Sequence, residues 1–216
     1  MGLGLVLAMA GVPATAKVAP KTSVVVTISV HNDAAVPWGT IRGAENEASR
    51  VFREAGIDVE WMNCQAVSEE TVETEKSRNC REAIFPEHLQ LRIVKRSVGL
   101  STEVMGVSFL SGDGRGCQAD LFYEGIEGLR QKSNASLASI LGDVASHEIG
   151  HLLLGTNSHT PQGIMRAVWG HDELVSVTRR ALSFSEKESA QMRAKLGGVE
   201  ARSKDTPLVS SGHLGD

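Results

Sequence analysis

Alternation and runs of apolar residues predict five β-strands in the first 123 residues of the chain. A continuous β-branched run over Ser23–Val30 is typical of a strand that is buried on both faces. Regular alternation of apolar and polar residues predicts two more strands, Ile57–Met62 and His88–Val94. Two further segments complete the predicted set, Met105–Leu110 and Cys117–Tyr123.

Three segments have the periodicity of helices. Thr40–Ala55 places its apolar residues three or four positions apart, which predicts an amphipathic helix. Leu137–Leu154 is apolar on nearly all sides, which is typical of a helix buried within a domain. Leu182–Leu196 has one apolar side, and Ser185 with Glu188 three positions later forms a capping box at its start.

The central segment, Leu137–Leu154, also has residues suited to its two ends. Ser133 and Asn134 precede it and are candidate N-cap residues. Gly155 follows it and suits the left-handed residue that commonly ends a helix. We therefore expect a long buried helix here.

Composition and charge indicate one soluble domain. The chain has 216 residues, 41% of them hydrophobic, and a formal charge of −4, which is enough for one core and gives no hint of nucleic-acid binding. An apolar run over 2–12, followed by Ala14-Thr15-Ala16, predicts a signal peptide over residues 1–16. We expect one folded domain over 17–196 and a disordered tail over 197–216. The predicted product is secreted, extracellular or periplasmic, without stable membrane insertion, and a monomer.

Three cysteines are compatible with an exported protein. Cys64 and Cys80 bracket a polar, charged stretch, so a disulfide between them would close a surface loop. Cys117 is left over in an apolar segment and is expected to be a free, buried thiol.

The strongest chemical motif is His147-Glu148-Ile149-Gly150-His151. On a helix, positions i and i+4 share one face, so both imidazoles can bind one ion. Glu148 is rotated about 100° from His147 by helix geometry and can reach a water at the metal without being a ligand. The pattern predicts a hydrolytic zinc site. The alternative is a core helix with hydrogen-bonded histidines, but two buried histidines and a glutamate are costly without partners.

The continuation of the motif resembles the metzincin clan of zinc peptidases, with the nearest likeness to matrixins. Their signature is His-Glu-x-x-His-x-x-Gly-x-x-His, followed by a turn that carries a methionine below the metal. The resemblance implies that His159 is the third zinc ligand, Gly155 the helix-ending glycine and Met165 the Met-turn residue. Here Gly155 lies one position later than in the signature, and His159 two positions later.

The order of predicted elements also resembles the N-terminal subdomain of metzincins. The resemblance implies an α+β fold with a mixed five-stranded sheet, an N-terminal backing helix, a central active-site helix and a small C-terminal helical subdomain. It further implies that the fourth strand, within Val104–Leu110, lies antiparallel at the sheet edge and binds an extended peptide. The alternative for this segment is an ordinary structural strand.

The identity of the third ligand remains open at the level of sequence. Some zinc peptidases take it from a downstream glutamate, for which Glu173, Glu186 and Glu188 are candidates. Glu188 has a competing role in the capping box, and Glu186 as a first-turn acid. His171 is another candidate, although it is expected at the surface, and the last alternative is a site with no third protein ligand.

The combined hypothesis is a secreted zinc endopeptidase. His147, His151 and His159 bind Zn²⁺, and Glu148 acts as the general base. The alternative is a secreted metal-binding or interaction module that retains the fold without turnover. Glu148 argues against that alternative, because a structural zinc site needs no base and is usually closed by four protein ligands.

Overall fold

A single mixed sheet and a set of helices organise residues 24–64, 79–101 and 103–204, the parts of the chain that this computed structural model describes. In chain order the strands are β1 (Val24–Asn32), β2 (Ile57–Cys64), β3 (His88–Val94), β4 (Gly106–Phe109) and β5 (Gln118–Phe122). The helices are α1 (Trp38–Glu54), α2 (Tyr123–Gln131), α3 (Leu137–Leu154), α4 (His171–Thr178) and α5 (Glu186–Lys204).

The strands lie in the order β2-β1-β3-β5-β4. All neighbouring pairs are parallel except β4 and β5, which are antiparallel, with Ser108 opposite Ala119. Among the described strands, β4 is therefore an edge strand that pairs only with β5. The predicted α+β fold with a mixed five-stranded sheet is confirmed.

The core lies between the sheet and two helices, α1 and α3. Residues from β1, β2, β3, β5 and both helices surround one small apolar space. The two helices approach closely, because a methyl group at Gly142 of α3 would lie 2.5 Å from the Ala44 carbonyl oxygen of α1. Each fully buried branched side chain, such as Ile28 or Ile140, stabilises the fold by roughly 1.5–3 kcal/mol. This packing fixes α3 against the sheet.

Two helices, α2 and α4, were not predicted from the pattern. α2 starts directly where β5 ends, so the predicted strand end at Tyr123 is one residue too late. Its sequence contains Gly125 and Gly128, which are poor helix formers. α4 has only 8 residues, which gives helical periodicity little room to appear.

The helix ends differ in part from the expectation. The N-cap of α3 is Ser136, whose Oγ accepts the Ser139 N–H at 3.0 Å, so the prediction of Ser133 or Asn134 was wrong. The last predicted helix begins at Glu186 rather than Leu182 and continues past Leu196 to Lys204.

The predicted capping box of α5 is confirmed. The Ser185 N–H donates to Glu188 Oε2 at 2.7 Å, and the Glu188 N–H donates to Ser185 Oγ at 3.3 Å. A start at Leu182 would place this pair inside the helix, where the Ser185 N–H would have a helical partner. The reciprocal cap therefore explains why the helix starts at Glu186.

The predicted disulfide between Cys64 and Cys80 is confirmed, with a Cα–Cα distance of 5.8 Å. Cys117 is a free thiol, as predicted, and is partly buried. Within the described ranges, none of the helices combines the length and apolar character needed to cross a bilayer. The predicted signal peptide over 1–16 and the end of the predicted tail, 205–216, lie outside the described residues.

Candidate metal centre

Helix α3 places two of the predicted ligands at its C-terminal end, in the interior of the protein. His147 is 9% exposed and His151 is 4% exposed. Gly155 ends the helix with φ 71°, and its N–H donates to the His151 carbonyl oxygen at 2.8 Å. This left-handed residue turns the chain back towards the histidines.

Three imidazoles converge at one point. The Nε2 atoms of His147 and His151 are 3.0 Å apart, and those of His151 and His159 are 3.3 Å apart. The ligand atoms of all three residues lie within 4.8 Å of one another. Nitrogens that each lie about 2.0–2.1 Å from one zinc ion are about 3–4 Å apart. The two distances to His151 fit a shared ion as they stand, and the widest pair would draw closer on binding.

The hydrogen bonds behind the two helical histidines determine which nitrogen carries the proton. His147 Nδ1 lies 2.7 Å from the Ile164 carbonyl oxygen, and His151 Nδ1 lies 2.7 Å from the Thr156 carbonyl oxygen. A carbonyl oxygen can only accept, so each Nδ1 is the protonated donor. Each Nε2 therefore carries a lone pair that points at the shared position. Metal-binding histidines commonly show this arrangement, with the other ring nitrogen donating to a carbonyl.

The electrostatics of these rings favour a cation between them. Burial lowers the pKa of His147 to about 4 and lowers the pKa of His151, so both rings are neutral at neutral pH. Two neutral Nε2 atoms at 3.0 Å cannot hydrogen-bond to each other when both are acceptors. A divalent ion resolves this repulsion, and three imidazole nitrogens are a ligand set that suits zinc.

His159 reaches the cluster from an exposed turn that follows Gly155. The Ser158 N–H donates to Thr156 Oγ1 at 3.1 Å, and the Thr160 N–H donates to the Met165 carbonyl oxygen at 3.0 Å. These bonds fold the segment back on α3. The extra residues of the non-standard spacing are therefore taken up in the turn, and His159 still reaches the other two rings.

Met165 is buried against α3 at Gly150. It is 1% exposed, and a methyl group at Gly150 would lie 2.8 Å from its Sδ and 2.7 Å from Phe184 Cε1. Because Gly150 has no side chain, Met165 and Phe184 can both pack against α3 at this position, which lies between His147 and His151 in the sequence. The Trp169 ring centroid lies 6.3 Å from that of His147, a contact that the sequence pattern did not indicate.

Glu148 is buried beside this cluster, at 6% exposed. Burial raises the pKa of its carboxyl to about 7, and a hydrogen bond from Ser108 opposes that rise. Ser108 and Gly106, which contact Glu148 from β4, were not singled out by sequence reasoning. In the sequence, Gly106 and Ser108 are distinguished only as small residues at alternate positions of the strand.

The other candidate ligands have different partners. Glu173 accepts the Gly170 N–H at 2.8 Å and pairs with Arg166, while Glu188 belongs to the capping box. Glu186 and His171 are exposed at the first positions of their helices. Among the described residues, the cluster that could bind a metal contains His147, His151 and His159 and none of these four.

Comparison with solved structures places this geometry in a known fold. The structure matches a zinc-dependent peptidase from Methanocorpusculum labreanum with a TM-score of 0.50 and 17% identity, over 76% of this chain and 99% of that one. It matches archaemetzincin from Methanopyrus kandleri with a TM-score of 0.51 and 15% identity, over 84% of this chain and 99% of that one. The chain shares the fold of these two proteins. No protein-family model matches the sequence, and no curated protein matches it either.

Proposed function

We propose that this protein is an exported zinc-dependent endopeptidase of the metzincin type. The observation that carries the proposal is the convergence of three imidazoles beside Glu148, a buried carboxyl group on the same helix as two of them. The shared fold with two zinc peptidases supports it. The particular likeness to matrixins stays a prediction.

In the proposed site, His147, His151 and His159 would hold the zinc ion. When bound, zinc supplies Lewis acidity, which makes a water more acidic and a carbonyl more electrophilic. The Ile164 and Thr156 carbonyls orient the two helical imidazoles. Met165 and Phe184 pack against α3 at Gly150, between the two ligand positions in the sequence.

Glu148 would act as the general base. It takes a proton from the water that attacks the scissile carbonyl carbon, and it returns the proton to the leaving amine nitrogen. Its burial fits this role, because a carboxyl whose pKa is near 7 can both accept and donate at neutral pH. A site that only bound metal would have no use for a buried carboxylate next to the ligands.

The substrate in this proposal is a peptide in extended form. β4 is the edge strand of the sheet in the part of the chain that the structure describes, and unpaired main-chain groups at an edge can bind a peptide by adding it as a further strand. Val104–Leu110 would supply these groups, and Glu148 packs against the same segment. Export is proposed because a disulfide such as Cys64–Cys80 persists in oxidising compartments.

The test is hydrolysis of casein or a quenched fluorescent peptide by the zinc-loaded protein, with and without a chelator. Glu148→Ala is expected to keep one zinc per chain and lose about 10²–10⁴-fold in activity, the usual worth of general-base assistance. Glu60→Ala, an exposed glutamate on β2 at the opposite sheet edge, is the matched control and should keep full activity. Full activity in Glu148→Ala would contradict the hydrolytic mechanism and favour a binding module.

A further inference from the structure

The inner face of β4 is shaped around the side chain of Glu148. Alternate residues of a strand point to the same face, and Gly106 and Ser108 occupy alternate positions here. A methyl group at Gly106 would lie 2.7 Å from both Cγ and Oε1 of Glu148. This position therefore admits the glutamate side chain only because it has no side chain of its own.

Ser108 is the polar neighbour of Glu148 on this face. Its Oγ lies 2.7 Å from Glu148 Oε2 and 2.7 Å from the Glu148 carbonyl oxygen. Ser108 is only 7% exposed, so water competes little for its hydroxyl. A hydroxyl carries one hydrogen, so it donates to one of these two oxygens at a time. Oε2 is the stronger acceptor when the carboxylate is charged.

The two oxygens of the Glu148 carboxylate are therefore in different situations. Oε2 accepts from Ser108, whereas Oε1 has no hydrogen-bond partner among the residues that the structure describes. Oε1 lies beside Gly106, 2.7 Å from the position that a Cβ atom would take there. The contact selects one orientation of the carboxylate and leaves one oxygen available to a water or substrate.

We propose that Ser108 is a positioning residue for the general base, which holds Glu148 through Oε2 so that Oε1 faces the reacting water; this inference rests on the proposed function. Ser108 does not touch the reacting atoms in this scheme. It acts on the rate because a misplaced base transfers protons less efficiently.

The experiment is a double-mutant cycle with Ser108→Ala, Glu148→Ala and the double variant, in the zinc-loaded full chain. Ser108→Ala is expected to lower kcat about 10–100-fold, as loss of an outer-shell partner typically does, with little change in KM or zinc content. In the Glu148→Ala background, the same substitution should change kcat by less than about twofold, because its effect passes through Glu148. An unchanged kcat in Ser108→Ala, or an equal loss in both backgrounds, would overturn the proposal.

Ser146→Ala is the matched control. Ser146 is also buried, but its hydroxyl donates to the Gly142 carbonyl oxygen at 2.9 Å and not to Glu148. It should keep kcat, which separates the Ser108 contact from the general effect of deleting a buried hydroxyl.

Urea unfolding of the four metal-free cycle proteins gives a readout that does not depend on activity. The free energies of unfolding should be non-additive if Ser108 binds Glu148. Additive values would overturn the contact on which the inference rests. If the unmodified protein hydrolyses no peptide, the proposed function fails, whereas non-additive unfolding would still establish the Ser108–Glu148 contact.

Discussion

At the residue scale, the three ligand positions differ in how firmly they are held. His147 and His151 lie on a buried helix, and each donates to a carbonyl behind it. His159 is exposed, and its position depends on the turn after Gly155. Loss of His159 should therefore affect the metal and leave the core unchanged.

His159→Ala is expected to weaken zinc binding by more than about a hundredfold. Losing a group that hydrogen-bonds to a ligand typically costs about 10–100-fold, and losing the ligand itself should cost more. The reason is that three protein ligands become two. Zinc content after dialysis and calorimetric titration measure the change. His171→Ala, an exposed histidine outside the cluster, is the matched control. If His171→Ala loses zinc while His159→Ala retains one ion per chain, the assigned third ligand is wrong.

At the scale of elements, the C-terminal end of α3 is where packing and site geometry meet. Gly155 has φ 71°, and a methyl group there would lie 2.6 Å from Lys195 Nζ and 2.7 Å from the Gly114 carbonyl oxygen. The glycine thus lets the β4–β5 connection and α5 approach the C-terminal end of α3. The same glycine starts the turn that carries His159.

Gly155→Ala is expected to lower the free energy of unfolding by about 1–2 kcal/mol from the left-handed backbone alone, and by more if Gly114 has to move. Urea unfolding of the metal-free protein measures this. Gly39→Ala is the control, because Gly39 lies in α1 and an added methyl group meets nothing within 4 Å. Equal stability of Gly155→Ala and the unmodified protein would contradict the conformational argument.

At the scale of the whole molecule, a buried charge network joins α1, α3 and the segment after α4. Glu47 pairs with Arg50 and Arg180 at 2.6 Å, and Arg50 donates to the Leu182 carbonyl oxygen at 3.1 Å. Asp143 of α3 is fully buried, 4.0 Å from Arg50, and neither carboxylate oxygen has a hydrogen-bond partner in the described structure. Burial, assisted by the charge of Glu47, raises the pKa of Asp143 to about 8.

This raised pKa predicts a pH-dependent cost. Between pH 3.8, the ordinary pKa of this carboxyl group, and pH about 8, the folded state keeps the Asp143 proton that the unfolded state releases. The contribution of Asp143 to stability is therefore unimpaired below 3.8 and falls as pH rises through this window.

Asp143→Asn removes the ionisation, so its free energy of unfolding should rise relative to that of the unmodified protein as pH increases. Unfolding in urea at a series of pH values measures this difference. Both proteins contain the same histidines, so the titration of the histidines cancels in the difference. Asp33→Asn, which alters an exposed carboxylate beside Arg92, is the control. A difference that is constant with pH would mean that Asp143 is charged in the folded protein.

Sequence alone determined the features that depend on neighbours along the chain. The pairing of His147 with His151 follows from helix geometry, and the capping box of α5 from a spacing of three residues. The strands followed from periodicity, because a buried face imposes its period on the residues. The Cys64–Cys80 bond followed from a short separation around a polar stretch.

Tertiary structure decided what depends on distant residues. It placed His159 in the cluster while Glu173 accepts the Gly170 N–H, a choice that spacing had left open. It also brought Ser108 to Glu148 across 40 positions of sequence. The fold positions β4 against α3, and no periodicity in either segment records that contact. Local sequence patterns specify helices and strands because the interactions that form them join residues close together in the sequence. A site assembled from several elements exists only once those elements pack together.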